Sequence, residues 1–571
     1  MKRTRHQPHP LVLALQIAGL VGGVAYSAVS GTVRLAGGGG LSGVEVSLSS
    51  KALAPATTDA EGKWALGGVS RLPEKAPEKR VSSNLRLVQG RLVLDLGEAR
   101  ADGRKLSALG MADRFTSRLA RMAAATDTLL FKIRGGLRAR LPIGTLDTTG
   151  ILTVLDTTWG SPATCPTTVP SGPAYYASPT GTGSSCSLQS PCALATAVKK
   201  PKPGESVYLR GGSYTSPYFT IAVSGSKDSG WITVAAYPCE LPIIEGNGVG
   251  VSGSFVRVDG LVSRNAASGF GNKWTGAGTT NSNGNVEFRN CIADGNSRNG
   301  IAFNSAAGVR IQQCIVAHNG HSPTASWSSG VNIYGAQGTW KDNVVESNVA
   351  FENVDMQHHS DGSGFIVDDI GTGTTFVNNI GFRNGGSCIR LTTSTNTHIV
   401  NNTCYHDGLD SLAGSDPQYT QPKSPGEILF SSAETRTGVV MVNNLAAASG
   451  WNGTQTSFPG AGTVPVTPWN LGVDKNGPTP FFVSPDGDHP DFHLAPQATG
   501  AIGKGTATEA PATDIGFDPR CITKAPPNLA AARGWWMYSV DYDYIRTIGG
   551  VAQCFHPKAR TGAIDLGAYA Q

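Results

Sequence analysis

Residues 358–369 read HHSDGSGFIVDD and place two histidines and three aspartates around a short apolar run. Carboxylate oxygens are the ligands that Ca²⁺ prefers, and histidine gains or loses a proton near neutral pH. Aspartate is also a common turn residue, so the same letters are compatible with a polar corner between strands. The choice depends on what kind of strand FIVDD forms and on which side chains lie beside it.

Five segments share a pattern with FIVDD. They read GIAFNS, GVNIYG, GFIVDD, GSCIRL and GEILFS, and the third residue after each first glycine is large and apolar. Side chains alternate between the two faces of a strand, so this residue is predicted to point inward and the next one outward. The predicted inward residues are Phe303, Ile333, Val367, Ile389 and Leu429. The predicted outward row across neighbouring coils is Asn304, Tyr334, Asp368, Arg390 and Phe430.

A second repeat carries an amide side chain. The segments VEFRNCI, VRIQQCI, TWKDNVV, TFVNNIG, HIVNNTC and VMVNNLA recur at spacings of 23, 30, 36, 23 and 42 residues, which is typical of a solenoid with variable loops. Stacked coils lie about 4.8 Å apart, so the amides are predicted to form a hydrogen-bonded ladder inside a turn. The predicted ladder is Asn290, Gln313, Asn343, Asn379, Asn402 and Asn444.

The composition favours many short strands joined by turns. Of 571 residues, 73 are glycine and only 15% are charged, which is poor for helices. The net charge of +5 forms no basic stripe for nucleic acid, although a mildly basic surface tolerates an anionic polymer. Ten cysteines permit disulfides, with Cys186–Cys192 and Cys521–Cys554 as local pairs, and no CxxC motif supports a zinc site.

The N-terminus has the layout of a secretory signal peptide. A basic MKRTRHQPHP is followed by an apolar LVLALQIAGLVGGVA and a small, polar YSAVS, so residues 1–28 are predicted to be removed on export. An uncleaved anchor over residues 11–28 is the alternative. The sequence therefore predicts a secreted or cell-surface protein with no membrane span after processing.

Residues 29–70 alternate polar and apolar residues between glycine turns. The segments SGTVRL, GVEVSL and TTDAEGKWALGGV resemble the small β-sandwich found beside carboxypeptidases, which implies an accessory module. We expect a charged linker at 71–84, a second small β-rich module at 85–155, and a Thr/Pro/Ser-rich linker at 156–173.

Residues 174–571 open and close with recognisable segments. YYASP, PCALATAVKK and GESVYLRGGSY, with the endings DFHLAPQATGAIGKG and GAIDLGAYA, resemble exported proteins of the pectate lyase-like superfamily. The resemblance implies an all-β fold, a right-handed parallel β-helix preceded by one or two small β-sandwich-like modules. It also implies a monomer that acts on polysaccharide.

The outward row offers groups that suit an acidic sugar polymer. Tyr334, Asn304 and Phe430 are candidates for substrate binding. Asp361, Asp368 and Asp369 are candidate calcium ligands, because a cation would neutralise a substrate carboxylate and acidify its α-proton. Asp368 with Arg390 is also compatible with an ordinary cross-strand ion pair.

Several groups are candidates for the base that removes that proton. Arg390 is one, although guanidinium gives up a proton so reluctantly that gripping the carboxylate suits it better. His358 and His359 are rivals, as is Lys341, which falls in an inward slot of the amide-repeat alignment through either a bulge or a slipped alignment. Loop histidines are otherwise mostly solvated.

The same stretch resembles calcium-dependent pectate lyases only in part. Asp361–Gly362 matches the first acidic turn of their pattern. Val367 or Asp368 stands where those enzymes have a catalytic lysine, and Gly385–Gly386–Ser387 replaces the second acidic turn. The resemblance therefore supports neither pectate as the substrate nor a lysine mechanism.

The sequence predicts an exported enzyme that cleaves a uronate-containing polysaccharide by β-elimination, with calcium as a cofactor. Three alternatives stay open. A glycoside hydrolase would use two of the three aspartates, a non-enzymatic adhesin would only bind glycans, and a C5-epimerase would share the proton abstraction without bond cleavage.

Overall fold

The computed structural model divides the chain into two compact units, Met1–Gly160 and Ser161–Gln571. In the first unit the structure describes only strand backbones. In the second it describes residues 172–570 apart from the Asp369 side chain and the following gaps: 216–218, 273–283, 305–306, 326, 336–341, 370–371, 393, 414, 416–425, 432–436, 449–456, 459–463, 465–468, 474–480 and 526–535.

The first unit contains two sheets, of five and four strands. Leu11–Ile17, inside the predicted signal peptide, pairs antiparallel with Val29–Leu35. Each of the two sheets contains strands from both predicted small modules. Export and the boundaries of the modules stay predictions. The strands are Leu11–Ile17, Val29–Leu35, Glu45–Leu48, Ala56–Thr57, Lys63–Leu66, Arg86–Gln89, Leu92–Asp95, Thr128–Lys132 and Arg138–Pro142.

The second unit is a right-handed parallel β-helix, which confirms the predicted fold class. Each full coil contributes one strand to each of three parallel sheets, which have ten, ten and eight strands. Sheet 1 contains Ala174–Ala177, Ser206–Leu209, Ile232–Ala236, Val256–Asp259, Val286–Arg289, Arg310–Gln312, Asn343–Glu346, Thr374–Val377, His398–Val400 and Val440–Val442. Sheet 2 contains Gly212–Tyr214, Pro242–Glu245, Val262–Arg264, Ile292–Asp294, Ile315–Ala317, Val349–Phe351, Ile380–Phe382, Thr403–Tyr405, Leu445–Ala447 and Leu471–Val473. Sheet 3 contains Phe219–Ile221, Val249–Val251, Phe270–Asn272, Ile301–Asn304, Val331–Gly335, Phe365–Asp369, Ile389–Leu391 and Ile428–Phe430.

Stacked apolar side chains fill the interior of the coils. In sheet 1, Phe288, Ile311 and Val345 are neighbours on successive strands and are fully buried. Val345 therefore fills the inward slot that the sequence alignment gave to Lys341. Lys341 itself lies outside the described residues.

An asparagine ladder is present at the turn between sheets 1 and 2. Asn379 Nδ2 donates to Asn402 Oδ1 at 3.0 Å, and Asn402 Nδ2 donates to Asn444 Oδ1 at 2.9 Å, as predicted. The other predicted members are wrong. Asn290 and Gln313 adopt left-handed backbone conformations in the turn, one residue before the position that the ladder side chains occupy. Asn343 lies in a strand of sheet 1. The ladder instead runs through Asn348, Asn379, Asn402, Asn444 and Asn470.

The C-terminal segment covers the outer face of sheet 2. Its apolar side chains pack with sheet 2 residues such as Phe351 and Phe382 in one hydrophobic cluster. Its elements are strands Phe482–Ser484, Asp491–Leu494, Ile522–Lys524 and Tyr538–Val540, α-helix Tyr542–Ile548, and 3₁₀ helices Pro519–Cys521 and Val551–Cys554. One further short α-helix, Leu194–Ala197, lies near the start of the β-helix. Among the described residues, no helix has the length and apolar character needed to cross a membrane.

Both predicted disulfides form, Cys186–Cys192 and Cys521–Cys554. A third, Cys388–Cys404, joins the start of a sheet 3 strand to sheet 2 across 16 residues. This pair was not predicted, although its cysteines are closer in sequence than Cys521 and Cys554.

Candidate active site

The outward row of sheet 3 differs from the prediction after Asp368. Asn304, Tyr334 and Asp368 are paired neighbours on successive strands, as predicted. Arg390 points outward but pairs with Ile366, two residues before Asp368. Phe430 pairs with Leu391 and is buried in the interior cluster, so its predicted role in substrate binding is wrong.

The predicted row is misaligned because residues were counted from the first glycine of each segment, and these glycines are not all equivalent. Gly386 N donates to Gly362 O at 2.8 Å, so Gly386 is equivalent to Gly362 and not to Gly364. A two-residue slip leaves inward and outward faces unchanged, which is why the hydrophobic pattern did not reveal it. At the next coil Ile428 pairs with Ile389, a one-residue difference that turns Phe430 inward and Leu429 outward.

A cleft of about 1030 Å³ lies over this outer face. Its lining includes Trp327, Tyr334, Asp361, Asp368 and Arg390, which come from three consecutive coils. The structure therefore gathers five of the ten predicted site residues into one concavity, namely Asn304, Tyr334, Asp361, Asp368 and Arg390. Open clefts of this size suit a ligand larger than a single sugar.

Arg390 is fixed at the buried side of the cleft. It is only 2% exposed, and its Nη1 donates to Asp361 Oδ1 at 3.2 Å and to the Ser360 carbonyl oxygen. Its Nε donates to Ser431 Oγ at 3.2 Å. A guanidinium held by a carboxylate and a carbonyl stays charged, so this geometry suits gripping an anion better than removing a proton.

Asp361 is a buried carboxyl group with one uncompensated oxygen. It is 5% exposed, and its Oδ2 has no hydrogen-bond partner among the described residues. Burial, together with the negative charge of Asp368, raises the pKa of Asp361 well above its usual range, against the opposing charge of Arg390. The pair Asp361 and Asp368 thus favours one protonated and one ionised carboxyl group.

The described residues do not form a ready calcium site. Asp361 Oδ1 is taken by Arg390 and Oδ2 is enclosed, so neither oxygen is presented to a cation. Among the described residues no group of three or more His, Cys, Asp or Glu side chains is arranged around a metal position. The Asp369 side chain lies outside the described part, so its predicted role as a ligand stays a prediction.

Asp368 and Tyr334 form the more accessible part of the site. Both are partly exposed, and they are neighbours on adjacent strands. Asp368 Oδ1 also accepts a hydrogen bond from Thr392 Oγ1 at 3.3 Å. Asn304 completes this row and lines the cleft, with its backbone fixed to Asn272 by a 2.8 Å bond to the Asn272 side chain.

The two histidines have different positions. His358 packs against the Trp327 ring, with ring centroids 4.7 Å apart, and only the tryptophan lines the cleft. His359 Nδ1 lies 2.8 Å from Asp410 Oδ2 and is not part of the cleft lining. The structure brings neither imidazole to the cleft surface, and Lys341 is outside the described residues.

Several solved structures are similar to part of this chain. Solved structures similar to this chain include pectate lyase Pel9A, with 17% identity, TM-score 0.37, and coverage of 59% of this chain and 92% of that one. A rhamnogalacturonan lyase matches at 14% identity and TM-score 0.30, covering 59% and 97%. An alginate lyase from Paenibacillus sp. str. FPU-7 matches at 14% identity and TM-score 0.27, covering 45% and 98%. No protein-family model and no curated protein matches the chain.

Sequence reasoning missed Trp327 and Ser431. Trp327 lies in a loop with no repeat signal, and Ser431 follows the strand whose register was misassigned. The correct alignment of Ile428 with Ile389 would have placed Ser431 beside Thr392, but nothing in the sequence alone marks Trp327.

Proposed function

We propose that this protein is a polysaccharide lyase that cleaves a uronate-containing glycan by β-elimination in the sheet 3 cleft. The observation that carries the proposal is the buried Arg390–Asp361 pair beside the partly exposed Asp368 and Tyr334. In this arrangement the fixed positive charge of Arg390 and the neutral acid Asp361 lie next to two groups that can exchange a proton. These two groups are the Asp368 carboxylate and the Tyr334 hydroxyl.

Arg390 neutralises the carboxylate of the bound uronate, and the raised pKa of Asp361 leaves this buried neighbour protonated, so that it does not cancel the positive charge of Arg390. Loss of the negative charge of the uronate makes the hydrogen on C5, next to the carboxylate, more acidic. Preorganised donors aimed at developing charge are commonly the largest contribution to such a step.

Asp368 takes the C5 hydrogen as a proton. The electrons of the C5–H bond form the C4–C5 double bond, and the C4–O bond breaks with its electrons on the leaving oxygen. Tyr334 donates a proton to that oxygen, and Asp368 then returns a proton to Tyr334. The products are an unsaturated uronide and a shortened chain, with no water consumed.

Calcium assistance remains a separate proposal. A bound calcium ion would supply charge neutralisation at the substrate carboxylate, with Asp368 and Asp369 as the remaining candidate ligands. The steps above use only side chains of the chain itself.

The test is a panel of uronic-acid polymers assayed for ultraviolet absorbance of the unsaturated product, with calcium and with chelator. We expect absorbance to rise on at least one polymer. Loss of turnover with chelator and recovery with calcium would assign the ion a role. A wild-type protein that binds uronates but turns over none of them would refute the lyase proposal.

A glycoside hydrolase is the second candidate, because the Asp361–Asp368 pair itself favours it. The raised pKa of Asp361 suits a general acid, and an ionised Asp368 suits a base or nucleophile. Chain shortening without ultraviolet absorbance would select this reaction.

A further inference from the structure

The chain holds Trp327 in an unusual backbone conformation at the edge of the cleft. Its φ is +59°, in the left-handed region that bulky residues rarely adopt. Such a residue is strained and persists only where its surroundings fix it. Strain of this kind is concentrated at sites that bind or react with ligands.

The backbone places Trp327 directly beside Asp361. Gly362 N donates to Ser328 O at 2.7 Å. Asp361 and Trp327, which directly precede these two residues, therefore occupy equivalent places on adjacent coils. Adjacent coils are about 4.8 Å apart. The indole therefore lines the cleft one coil away from Asp361 and two coils away from Arg390.

A rigid turn supports the indole from behind. The His358 imidazole lies 4.7 Å from it between centroids, at an interplanar angle of 31°. The same turn is fixed by the buried Asp355, whose carboxylate accepts from Ser360 Oγ at 3.2 Å, and by the His359–Asp410 contact. The ring is thus preorganised, so little conformational entropy is lost when a ligand packs on it.

We infer that Trp327 is the residue that stacks on the sugar adjacent to the bound uronate, with His358 positioning the ring. This inference rests on the proposed cleavage of a glycan in the same cleft. Pyranose rings present a face of C–H groups, and a large rigid aromatic surface buries such a face at low entropic cost. Trp327 then sets the register of the polymer, because it fixes the neighbouring sugar while Arg390 holds the carboxylate.

The test compares Trp327→Asn, which tolerates the left-handed backbone but lacks the ring, with Trp327→Phe, which keeps an aromatic face. Trp231→Asn is the matched control, because Trp231 packs against Phe255 and Arg257 away from the cleft. We measure kcat and KM on the preferred polymer, and oligosaccharide affinity by calorimetry.

We expect Trp327→Asn to raise KM and the oligosaccharide Kd about tenfold, which corresponds to about 1.4 kcal/mol, with kcat changed less than threefold. Trp327→Phe retains most of the affinity, and Trp231→Asn matches the wild type. Unchanged KM and Kd in Trp327→Asn would overturn the inference, as would equal losses in the asparagine and phenylalanine variants.

The outcome for Trp327 is separable from the outcome for the reaction. If no polymer is cleaved, the role of Trp327 is decided by glycan binding alone. This binding is measured on neutral and acidic polysaccharides. Loss of binding in Trp327→Asn supports the inference even then, whereas absent binding in the wild type or equal binding in the variant overturns it.

Discussion

The outer faces of sheets 2 and 3 both bury charged side chains, but they compensate them differently. Under the C-terminal segment on sheet 2, His318 Nδ1 lies 2.7 Å from Asp294 Oδ1, and His318 Nε2 is 3.0 Å from the Tyr538 carbonyl oxygen. Tyr542 donates to the other Asp294 oxygen at 2.8 Å. In the sheet 3 cleft, Asp361 Oδ2 has no such partner among the described residues.

The difference separates a structural network from a candidate site. Around His318 every charge meets an opposite charge or a hydrogen bond, so the network fastens the C-terminal segment to the β-helix. Around Asp361 compensation is incomplete, and an incompletely paired buried group costs free energy. Such a cost is expected where the missing partner is a ligand.

The largest expected effect is on the cleft. Arg390→Met should lower kcat/KM by roughly 100- to 1000-fold, because it removes the charge that neutralises the substrate carboxylate. It should also destabilise the fold, since Asp361 then loses its partner. Steady-state kinetics and the thermal midpoint measure the two effects.

The double variant Arg390→Met/Asp361→Leu separates those effects. It should recover the thermal midpoint without recovering turnover, because the buried Asp361 carboxyl group that lost its hydrogen bond to Arg390 is no longer present. Activity of Arg390→Met within threefold of the wild type would remove the basis of the proposed mechanism.

The sheet 2 network should show its effect in stability alone. Its neighbouring carboxylates, Asp294 first, raise the pKa of His318 from 6.5 to about 9 despite burial. A group whose folded-state pKa is raised contributes stability that is complete below pH 6.5 and is lost as the pH rises through about 9. The shift corresponds to roughly 3 kcal/mol.

Urea unfolding between pH 6 and pH 10 measures this contribution. Wild-type stability should fall across the range, His318→Gln should be less stable at pH 6 and depend less on pH, and turnover at pH 7 should be unchanged. Parallel pH profiles for the two proteins would contradict this role for His318.

The asparagine ladder belongs to the scaffold that both faces share. Asn402→Ala should lower the free energy of unfolding by about 2 kcal/mol, because it leaves buried amide and backbone groups of the neighbouring coils unpaired. Asn402→Cys should cost less, since Cys291 and Cys314 hold the equivalent places in earlier coils with their thiols bonded to carbonyl oxygens. The urea midpoint ranks the three proteins, and a cysteine variant weaker than the alanine variant would disprove the equivalence.

The smallest effect is expected on the open face of sheet 1. Arg289 pairs with Asp259 at 2.7 Å but is 40% exposed. Arg289→Met should change stability by less than about 1 kcal/mol and leave turnover unchanged, because water screens the pair. Arg289→Met is the control for Arg390→Met. A large loss of activity in Arg289→Met would show that the activity loss expected in Arg390→Met does not depend on the position of Arg390 in the cleft.

Much of the site could be predicted because it lies on strands. The alternation of FIVDD and VNIYG placed Tyr334 and Asp368 outward and adjacent, and both were confirmed. Phe430 was misplaced because a one-residue error in an alignment between coils reverses the face. Asp361 was found from its chemistry, but its burial and its contact with Arg390, 29 residues away, have no counterpart in local sequence.

By itself the sequence determined the coil: period-two alternation, glycine at the start of five sheet 3 segments and recurring asparagines favour stacked short strands over any other fold. Only the tertiary structure decided the register between coils, because that register follows from hydrogen bonds between backbones separated by loops of variable length. For the same reason it alone brought Trp327, Asp361 and Arg390 together, since their contacts depend on which residues of successive coils lie level.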